Sequence, residues 1–194
     1  MKQNLQMLFS KNNGYLVKKQ LPDKSMYNHL LKLVVEGRVE RVKPGVYCYE
    51  KYIYDNTMID IEKIVPFGVL CLYSAWAYYE LSTQVPHSFN IAIEKNRKVK
   101  LPVYPPIALY YWKREYQELG ITMKKIGGYQ VMIYDLEKSV CDAVKFRMKA
   151  GIDVTSEILK NYLRRKDRNL TLLMEYARKM RIEKTLKTYL EIGL

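Results

Sequence analysis

The sequence predicts an α+β protein with a small N-terminal domain and a larger C-terminal α+β domain that ends in a helical bundle. Two changes of hydrophobic period carry this prediction. Segments with a helical period give way to two β-branched and aromatic runs before residue 51, and strand-like runs give way to helical segments after residue 134. We therefore place the first domain, a connector and the second domain at 1–51, 52–66 and 67–194.

Two short helices and a turn are predicted near the start of the chain. Apolar residues at i, i+3 and i+4 predict a helix over residues 3–10. Asn12-Asn13-Gly14 is a helix stop and turn. A second short helix is expected over 17–21, and Pro22 is expected to end it.

A third helix is predicted over residues 24–36. Asp23 is well placed as its N-cap, and Gly37 as the residue that terminates it. Apolar residues at i, i+3, i+4 and i+7 predict its buried face: Tyr27, Leu30, Leu31 and Val34.

Two strand-like runs follow, 38–42 and 46–50, with a turn at Pro44-Gly45. Three short helices followed by a β-hairpin is the element order of a winged helix-turn-helix. In that arrangement the third helix is packed from behind and exposes its outer face to the major groove of DNA.

The outer face of the third helix carries short polar and cationic side chains and no carboxylate. Candidate DNA-binding residues on the helix and the hairpin are Lys24, Ser25, Asn28, His29, Lys32, Arg38, Arg41 and Lys43. Asn28 is the best candidate for reading a base, because an amide can bond adenine bidentately. The lysines and arginines suit phosphates, and a solvated polar face with no ligand is the alternative interpretation.

The C-terminal domain is predicted from apolar runs and one turn. The stretch 68–81 is apolar nearly all round and predicts a buried helix, and Gly127-Gly128 is a strong hairpin signal. Strands are expected at 88–94, 107–112, 121–126 and 129–134, and closing helices at 136–149, 153–166, 169–181 and 181–192. Asp135 and Asp153 are candidate caps, and Gly151 is a break.

Two polar groups in these helices have a functional and a structural interpretation. The first is a basic run at a helix junction: Arg164, Arg165, Lys166 and Arg168. It is either a second nucleic-acid patch or a solvated helix end, where cations are favoured. The second group resembles a catalytic set, but capping of a helix that starts near Asp135 explains it more simply: Glu137, Ser139 and Asp142.

The net charge of +13, from 33 Lys and Arg against 20 Asp and Glu, favours a polyanionic partner. Residues 1–50 carry +5, 51–136 carry +2 and 137–194 carry +6. The sequence has no uncharged apolar stretch of about 18 residues and no signal-peptide pattern. We therefore expect a cytoplasmic protein with no membrane partner.

The sequence contains no catalytic or metal-binding pattern, so we expect no enzyme activity, no cofactor and no metal site. His29 and His87 have no ligand partner nearby in the sequence. A metal-dependent nuclease pattern fails at residues 94–96, because Asn96 stands where the lysine is required. The cysteines have the wide spacing and apolar neighbours of buried free thiols: Cys48, Cys71 and Cys141.

Five segments in order are distributed over residues 5–192: LFSKNNGYLVKKQL (8–21), YNHLLKLVVEGRVERVKPGVY (27–47), YSAWAYYELSTQVP (73–86), GGYQVMIYDLEKSVCDAV (127–144) and NLTLLMEYARKMRIEKTLKTYLE (169–191). In this order they resemble the AbiEi antitoxins of type IV, or abortive-infection, toxin–antitoxin systems. The family's Glu-[Lys/Arg]-[Ser/Thr]-x-x-Asp element corresponds to Glu137-Lys138-Ser139 and Asp142. Trp76 replaces the leucine of the family's Ser-Ala-Leu element, which we expect to be a matter of core packing.

The resemblance implies two activities. An N-terminal winged helix would bind inverted repeats in its own promoter DNA and repress the operon. The C-terminal domain would counteract a separately encoded nucleotidyltransferase toxin, either by direct contact or by acting on the toxin's substrate. The chain has no Gly-Ser dipeptide and so lacks the toxin's Gly-Ser…Asp-x-Asp signature, which identifies it with the antitoxin.

Two other classes of function fit parts of the sequence. In the first, the winged helix is only a scaffold, and a tyrosine-rich surface and basic helices bind an acidic protein, without sequence-specific DNA binding. In the second, the chain is an RNA-processing enzyme, for which no metal or acid–base residues can be named. The operator sequence and the oligomeric state are open at this stage.

Overall fold

A computed structural model of the chain describes residues 2–54 and 58–191. Within these ranges the chain forms ten α-helices, one 3-10 turn and eight strands in two sheets, so the predicted α+β class is confirmed. Residues 55–57 of the predicted connector and residue 192 of the last predicted helix lie outside the described residues.

The chain divides into two compact units, each made of several segments. Unit 1 comprises Met1–Gly68, Lys98–Ile107 and Lys124–Val131, and unit 2 comprises Val69–Arg97, Ala108–Met123 and Met132–Leu194. The division of the sequence at residues 51 and 66 stays a prediction.

Unit 1 contains an antiparallel three-stranded sheet and four helices. Its elements are α1 (Lys2–Lys11), β1 (Tyr15–Val17), a 3-10 turn (Lys18–Gln20), α2 (Lys24–Val35), β2 (Val39–Lys43), β3 (Val46–Tyr49), α3 (Glu50–Tyr54) and α4 (Ile61–Ile64). The strand order is β1-β3-β2. Its core is apolar and includes Leu5, Phe9, Leu16, Leu30, Val39 and Tyr47.

The predicted second helix, 17–21, is wrong. Tyr15 and Val17 pair with Cys48 and Val46 of β3, so this segment extends the sheet. Lys18–Gln20 form a single 3-10 turn, and Leu21 is already extended before Pro22, so no α-helix forms here. The β1 strand forms because it pairs with a strand about 30 residues away in the chain. The hydrophobic period of a short segment cannot reveal such a distant partner.

The β-hairpin at Gly127-Gly128 is confirmed. Both glycines have positive φ, 54° and 87°, as a two-residue type I′ turn requires. The tip of this hairpin belongs to unit 1, where the Tyr129 hydroxyl donates to the Asn13 carbonyl at 2.6 Å. The Asn13 amide in turn donates to the Gly128 carbonyl at 2.9 Å. The tip is therefore held by directional bonds to the loop after α1.

The remaining elements are β4 (Val69–Leu70), α5 (Leu72–Tyr78), β5 (Phe89–Glu94), β6 (Ile107–Trp112), α6 (Arg114–Gln117), β7 (Ile121–Ile126), β8 (Tyr129–Tyr134), α7 (Leu136–Ala150), α8 (Ile152–Arg164), α9 (Leu170–Lys179) and α10 (Glu183–Glu191). They lie in unit 2, apart from parts of β6, β7 and β8. The five strands form a sheet in the order β6-β5-β4-β8-β7. The four closing helices and the four strands β5 to β8 are confirmed.

The predicted helix 68–81 is wrong at both ends, since α5 covers only Leu72–Tyr78. Val69 and Leu70 form β4, the central strand, which is antiparallel to β5 and parallel to β8. The helix α5 starts only at Leu72. A short apolar run fits a buried strand as well as a buried helix, and here the sheet's two neighbouring strands decide the outcome.

The helix α7 begins as predicted, with the Asp135 carboxylate accepting from the Lys138 backbone N–H at 2.8 Å. The prediction that Asp153 caps α8 is wrong. Gly151, at φ +103°, precedes α8, and Asp153 lies inside the first turn. Gly151 does separate the two helices. Asp153 is therefore an ordinary first-turn acid that favours the helix dipole.

The start of α7 is buried in spite of its polar sequence. The Glu137 carboxylate accepts from the Tyr162 hydroxyl at 3.2 Å and from the Asn169 backbone N–H at 2.9 Å. Helix capping alone therefore does not account for this acid. It connects α7 to α8 and to the start of α9.

Lys138 and Asp142 form an ion pair with no solvent exposure, 2.6 Å between Nζ and Oδ1. The Lys138 ammonium also lies 3.9 Å from the centre of the Tyr134 ring and 4.8 Å from that of Trp112. Burial raises the pKa of the Asp142 carboxyl, and the ammonium opposes this. The other carboxylate oxygen, Oδ2, has no partner among the described residues. The pair is a structural element of the core.

Removing one member of this pair should destabilise unit 2 strongly. We expect Asp142→Leu to lower the free energy of unfolding by about 3–5 kcal/mol, because it leaves the ammonium buried and unpaired. The double substitution K138M/D142L should recover most of the loss, since both buried charges are gone. Urea unfolding monitored by circular dichroism measures both variants. A double variant no more stable than the single one would contradict this account.

Candidate nucleic-acid interface

The helix α2 is fixed at both ends. The Asp23 side chain accepts from the Met26 backbone N–H at 2.7 Å, as predicted for the N-cap. Gly37 has φ +73°, and the Arg38 N–H bonds the Leu33 carbonyl at 3.0 Å, which closes the other end in a Schellman motif. These caps decide which residues belong to the helix.

The buried face of α2 agrees in part with the predicted one: Leu30 is buried as predicted, and Tyr27 and Val34 are half-buried and pack against the core. Met26, Leu30 and Leu33 are buried, and they pack in the core with residues of α1 and of the sheet. Leu31, which was predicted to be buried, is 38% exposed. Two apolar stripes overlap in this helix, and the sequence does not show which of them the core covers.

Four of the predicted DNA-binding residues are exposed together on α2: Lys24, Ser25, Asn28 and Lys32. Within the part of the chain that the structure describes, their side chains have no hydrogen-bond or ion-pair partner. The face carries two ammonium groups, one amide and one hydroxyl, and no carboxylate. It can therefore donate hydrogen bonds to an anionic ligand.

His29 lies at the border of this face. It is half-buried and lines a pocket of about 240 Å³ together with Phe9, Leu33, Arg38 and Tyr49. This position places the imidazole beside α1 and the hairpin. His29 thus borders the group formed by Lys24, Ser25, Asn28 and Lys32 and contributes to the pocket.

The three predicted hairpin cations have different surroundings. Arg41 is exposed on β2. Arg38 is also exposed, but its guanidinium donates to the Tyr49 hydroxyl at 2.9 Å. Lys43 is half-buried, and its ammonium donates to the Ile64 carbonyl. Arg41 is the hairpin cation best placed for an external phosphate.

Sequence reasoning missed four exposed residues near this face. Lys18 and Lys19 lie in the 3-10 turn that precedes α2, and the Lys18 ammonium is 4.4 Å from the centre of the Tyr27 ring. Leu31 and Val35 lie on α2 itself. The spacing 24, 28, 31, 35 was a usable signal, since residues at i, i+4, i+7 and i+11 share one side of a helix.

The basic run after α8 is partly committed to internal contacts. The Arg165 guanidinium makes two bonds to the Asp167 carboxylate, at 2.8 and 2.9 Å, and a third to the Tyr79 carbonyl. These bonds lower the pKa of the Asp167 carboxyl. Arg168 donates to the Arg165 carbonyl at 2.6 Å, whereas Arg164 and Lys166 are exposed. The run therefore stabilises a helix junction through these internal bonds.

Other types of site have little support in the described residues. Among residues 2–54 and 58–191, no three His, Cys, Asp or Glu side chains are placed to hold a metal ion. The three cysteines are buried and free, as predicted. No helix in the described ranges is long and apolar enough to cross a membrane.

No protein-family model and no curated protein sequence matches this chain. The interpretation of the α2 face therefore rests on its own geometry.

Removing the N-cap should weaken the scaffold of this face. We expect Asp23→Ala to lower the free energy of unfolding of unit 1 by about 1 kcal/mol, since one backbone N–H loses its acceptor. The neighbouring exposed variant Lys24→Ala is the matched control and should change stability by less than about 0.5 kcal/mol. Urea unfolding of the full chain measures both. Equal unfolding midpoints for Asp23→Ala and the parent chain would contradict the capping role.

Proposed function

We propose that unit 1 is a winged helix that binds duplex DNA through the exposed face of α2. The observation that carries this proposal is the exposed polar face of α2. Its side chains have no partner among the described residues, and it carries no carboxylate. The opposite side of the helix packs in the core of unit 1. The element order supports it: α1, β1, a 3-10 turn, α2, and the hairpin β2–β3. The hairpin corresponds to the wing, and the 3-10 turn takes the place of the second helix.

The short 3-10 turn can support α2 because it is itself tied down. The Gln20 side chain accepts from the Val17 backbone N–H at 2.7 Å and donates to the Asn12 side chain at 2.9 Å. Lys18 packs its ammonium over the Tyr27 ring on α2. A single turn with these contacts can fix the angle at which α2 meets the DNA.

Each exposed side chain then has a role that follows from its chemistry. Asn28, in the middle of the face, pairs with an adenine edge in the major groove. Lys24, Lys32 and Arg41 bind phosphates and set the register on the duplex. Lys43 acts within the protein, where its bond to Ile64 ties the turn end of the hairpin to α4.

We further propose that the whole chain is an antitoxin of the AbiEi kind. In this proposal it represses its own operon by binding inverted repeats in the promoter, and it counteracts a nucleotidyltransferase toxin encoded beside it. The order of the five resembling segments and the DNA-binding geometry proposed for unit 1 support this function. The exposed Arg164 and Lys166 offer a secondary contact to nucleic acid.

The DNA-binding half is tested with the promoter of the chain's own gene. We expect Lys32→Ala to weaken binding and to reduce the slope of log K against log salt by about 1, because one phosphate contact is lost. Asn28→Ala should cost about 1–3 kcal/mol of discrimination against a changed base pair. The control is Lys160→Ala, which removes an exposed lysine from α8. Fluorescence anisotropy gives all three affinities. The proposal fails if the promoter binds no better than scrambled DNA at about 0.15 M salt.

The antitoxin half is tested by co-expression with the product of the neighbouring gene. We expect that gene to encode a nucleotidyltransferase, and the full chain to relieve the growth arrest it causes. Asn28→Ala should lose repression and keep neutralisation, because its folding contacts are unchanged. Co-elution of the two proteins would assign neutralisation to direct contact. Growth arrest that persists with the parent chain would contradict the antitoxin role.

A further inference from the structure

Two apolar side chains are exposed on the face of α2 that we propose reads DNA. Val35 is 90% exposed and Leu31 is 38% exposed. The two residues are four positions apart, so their side chains are neighbours on the helix surface. A β-branched valine is a weak helix former, and at an exposed position it adds nothing to the core. Neither residue is explained by the folding of unit 1.

The apolar pair continues the line of polar reading residues. Successive residues turn by about 100° around a helix, so Lys24, Asn28, Leu31 and Val35 fall within a strip of about 40–60°. Lys32 flanks this strip, and no acid lies on it. The exposed acid next to Val35, Glu36, lies 3.8 Å from the Arg38 guanidinium. The cations Lys24 and Lys32 therefore leave the strip suited to a polyanion, and an apolar protein surface would have to desolvate them.

We propose that Leu31 and Val35 read thymine by packing against its C5-methyl group in the major groove. An A·T pair offers both features that this face can use: an adenine edge for the Asn28 amide and a methyl group for an apolar side chain. This inference rests on the proposed DNA-binding function and specifies it. The recognised half-site then contains adenine and thymine, and its affinity depends on the thymine methyl.

The helix geometry also gives a spacing. Seven residues from Asn28 to Val35 span about 10 Å at a rise of 1.5 Å per residue. Base pairs are stacked about 3.4 Å apart, and a helix in the major groove lies oblique to the DNA axis, so the two contacts lie at most about three base pairs from one another. Leu31 lies between them and reaches the intervening steps.

The test uses the full chain and a duplex that it selects from a random-sequence pool. Each thymine of that duplex is replaced in turn by deoxyuracil, which removes only the C5-methyl group. We expect one or two positions, within about three base pairs of an essential adenine, to lose about fourfold in affinity. This is the effect of exposing one methyl group, about 0.8 kcal/mol.

A double-mutant cycle that combines Val35→Ala with the deoxyuracil replacement tests whether Val35 makes the methyl contact. Val35→Ala should weaken binding to the thymine duplex about fourfold and should be indifferent to the deoxyuracil replacement at its position. Alanine is a better helix former than valine, so the variant is expected to fold. Val85→Ala is the matched control, since this valine is 77% exposed in unit 2. It should keep the parent affinity and the parent sensitivity to deoxyuracil.

Four results would overturn the inference. Affinity that is unchanged by deoxyuracil at every position removes the methyl contact and leaves DNA binding intact. Additive effects of Val35→Ala and deoxyuracil separate the side chain from the methyl group. A loss of self-association in L31A/V35A, with DNA affinity unchanged, assigns the strip to an interface between copies of the chain. Failure to select any duplex overturns the proposed DNA binding and this inference together, and so is distinguishable from the other three.

Discussion

The orientation of α2 depends on the burial of Leu30, which has no solvent exposure and lies at the middle of the helix. Met26 and Leu33 extend the same buried stripe to either side. Burial of each such side chain contributes about 1.5–3 kcal/mol, so rotating the helix by one residue would expose apolar surface worth several kcal/mol. The opposite side, with Asn28 at its centre, is therefore presented to solvent as a consequence of the core.

Unit 2 fixes its central helix by a different kind of interaction. Glu137 and Lys138 lie at the buried start of α7, where each needs directional partners, because an unpaired buried charge is costly. Tyr162 supplies one partner for the acid, and Asp142 supplies one for the ammonium. An apolar core tolerates small shifts in packing, whereas these contacts are satisfied in one arrangement. The polar residues thus specify how α7, α8 and α9 meet.

The sequence predicted elements whose signal is local and missed those whose signal is a distant partner. The hairpin at Gly127-Gly128 and the cap at Asp23 depend on residues next to one another, and both were predicted correctly. The strands β1 and β4 are three and two residues long and exist because neighbouring strands bond them. On α2 the polar face was found from its composition. The exposure of Leu31 could not be predicted, because either apolar stripe of α2 could have faced the core.

The net charge of +13 gives little information about where a ligand binds, because many cations have internal partners. Lys63 pairs with Asp60, and Lys43 bonds a backbone carbonyl. The α2 face differs from these cations because it combines exposed hydrogen-bond donors with exposed apolar side chains. Exposed donors such as Asn28 are well solvated when free, but an apolar side chain on the same strip, such as Val35, is not. A ligand that relieves this cost must offer acceptors and apolar surface side by side on a polyanionic frame. The major-groove edge of an A·T pair has this composition, since it carries acceptors on adenine N7 and thymine O4 beside the thymine methyl group.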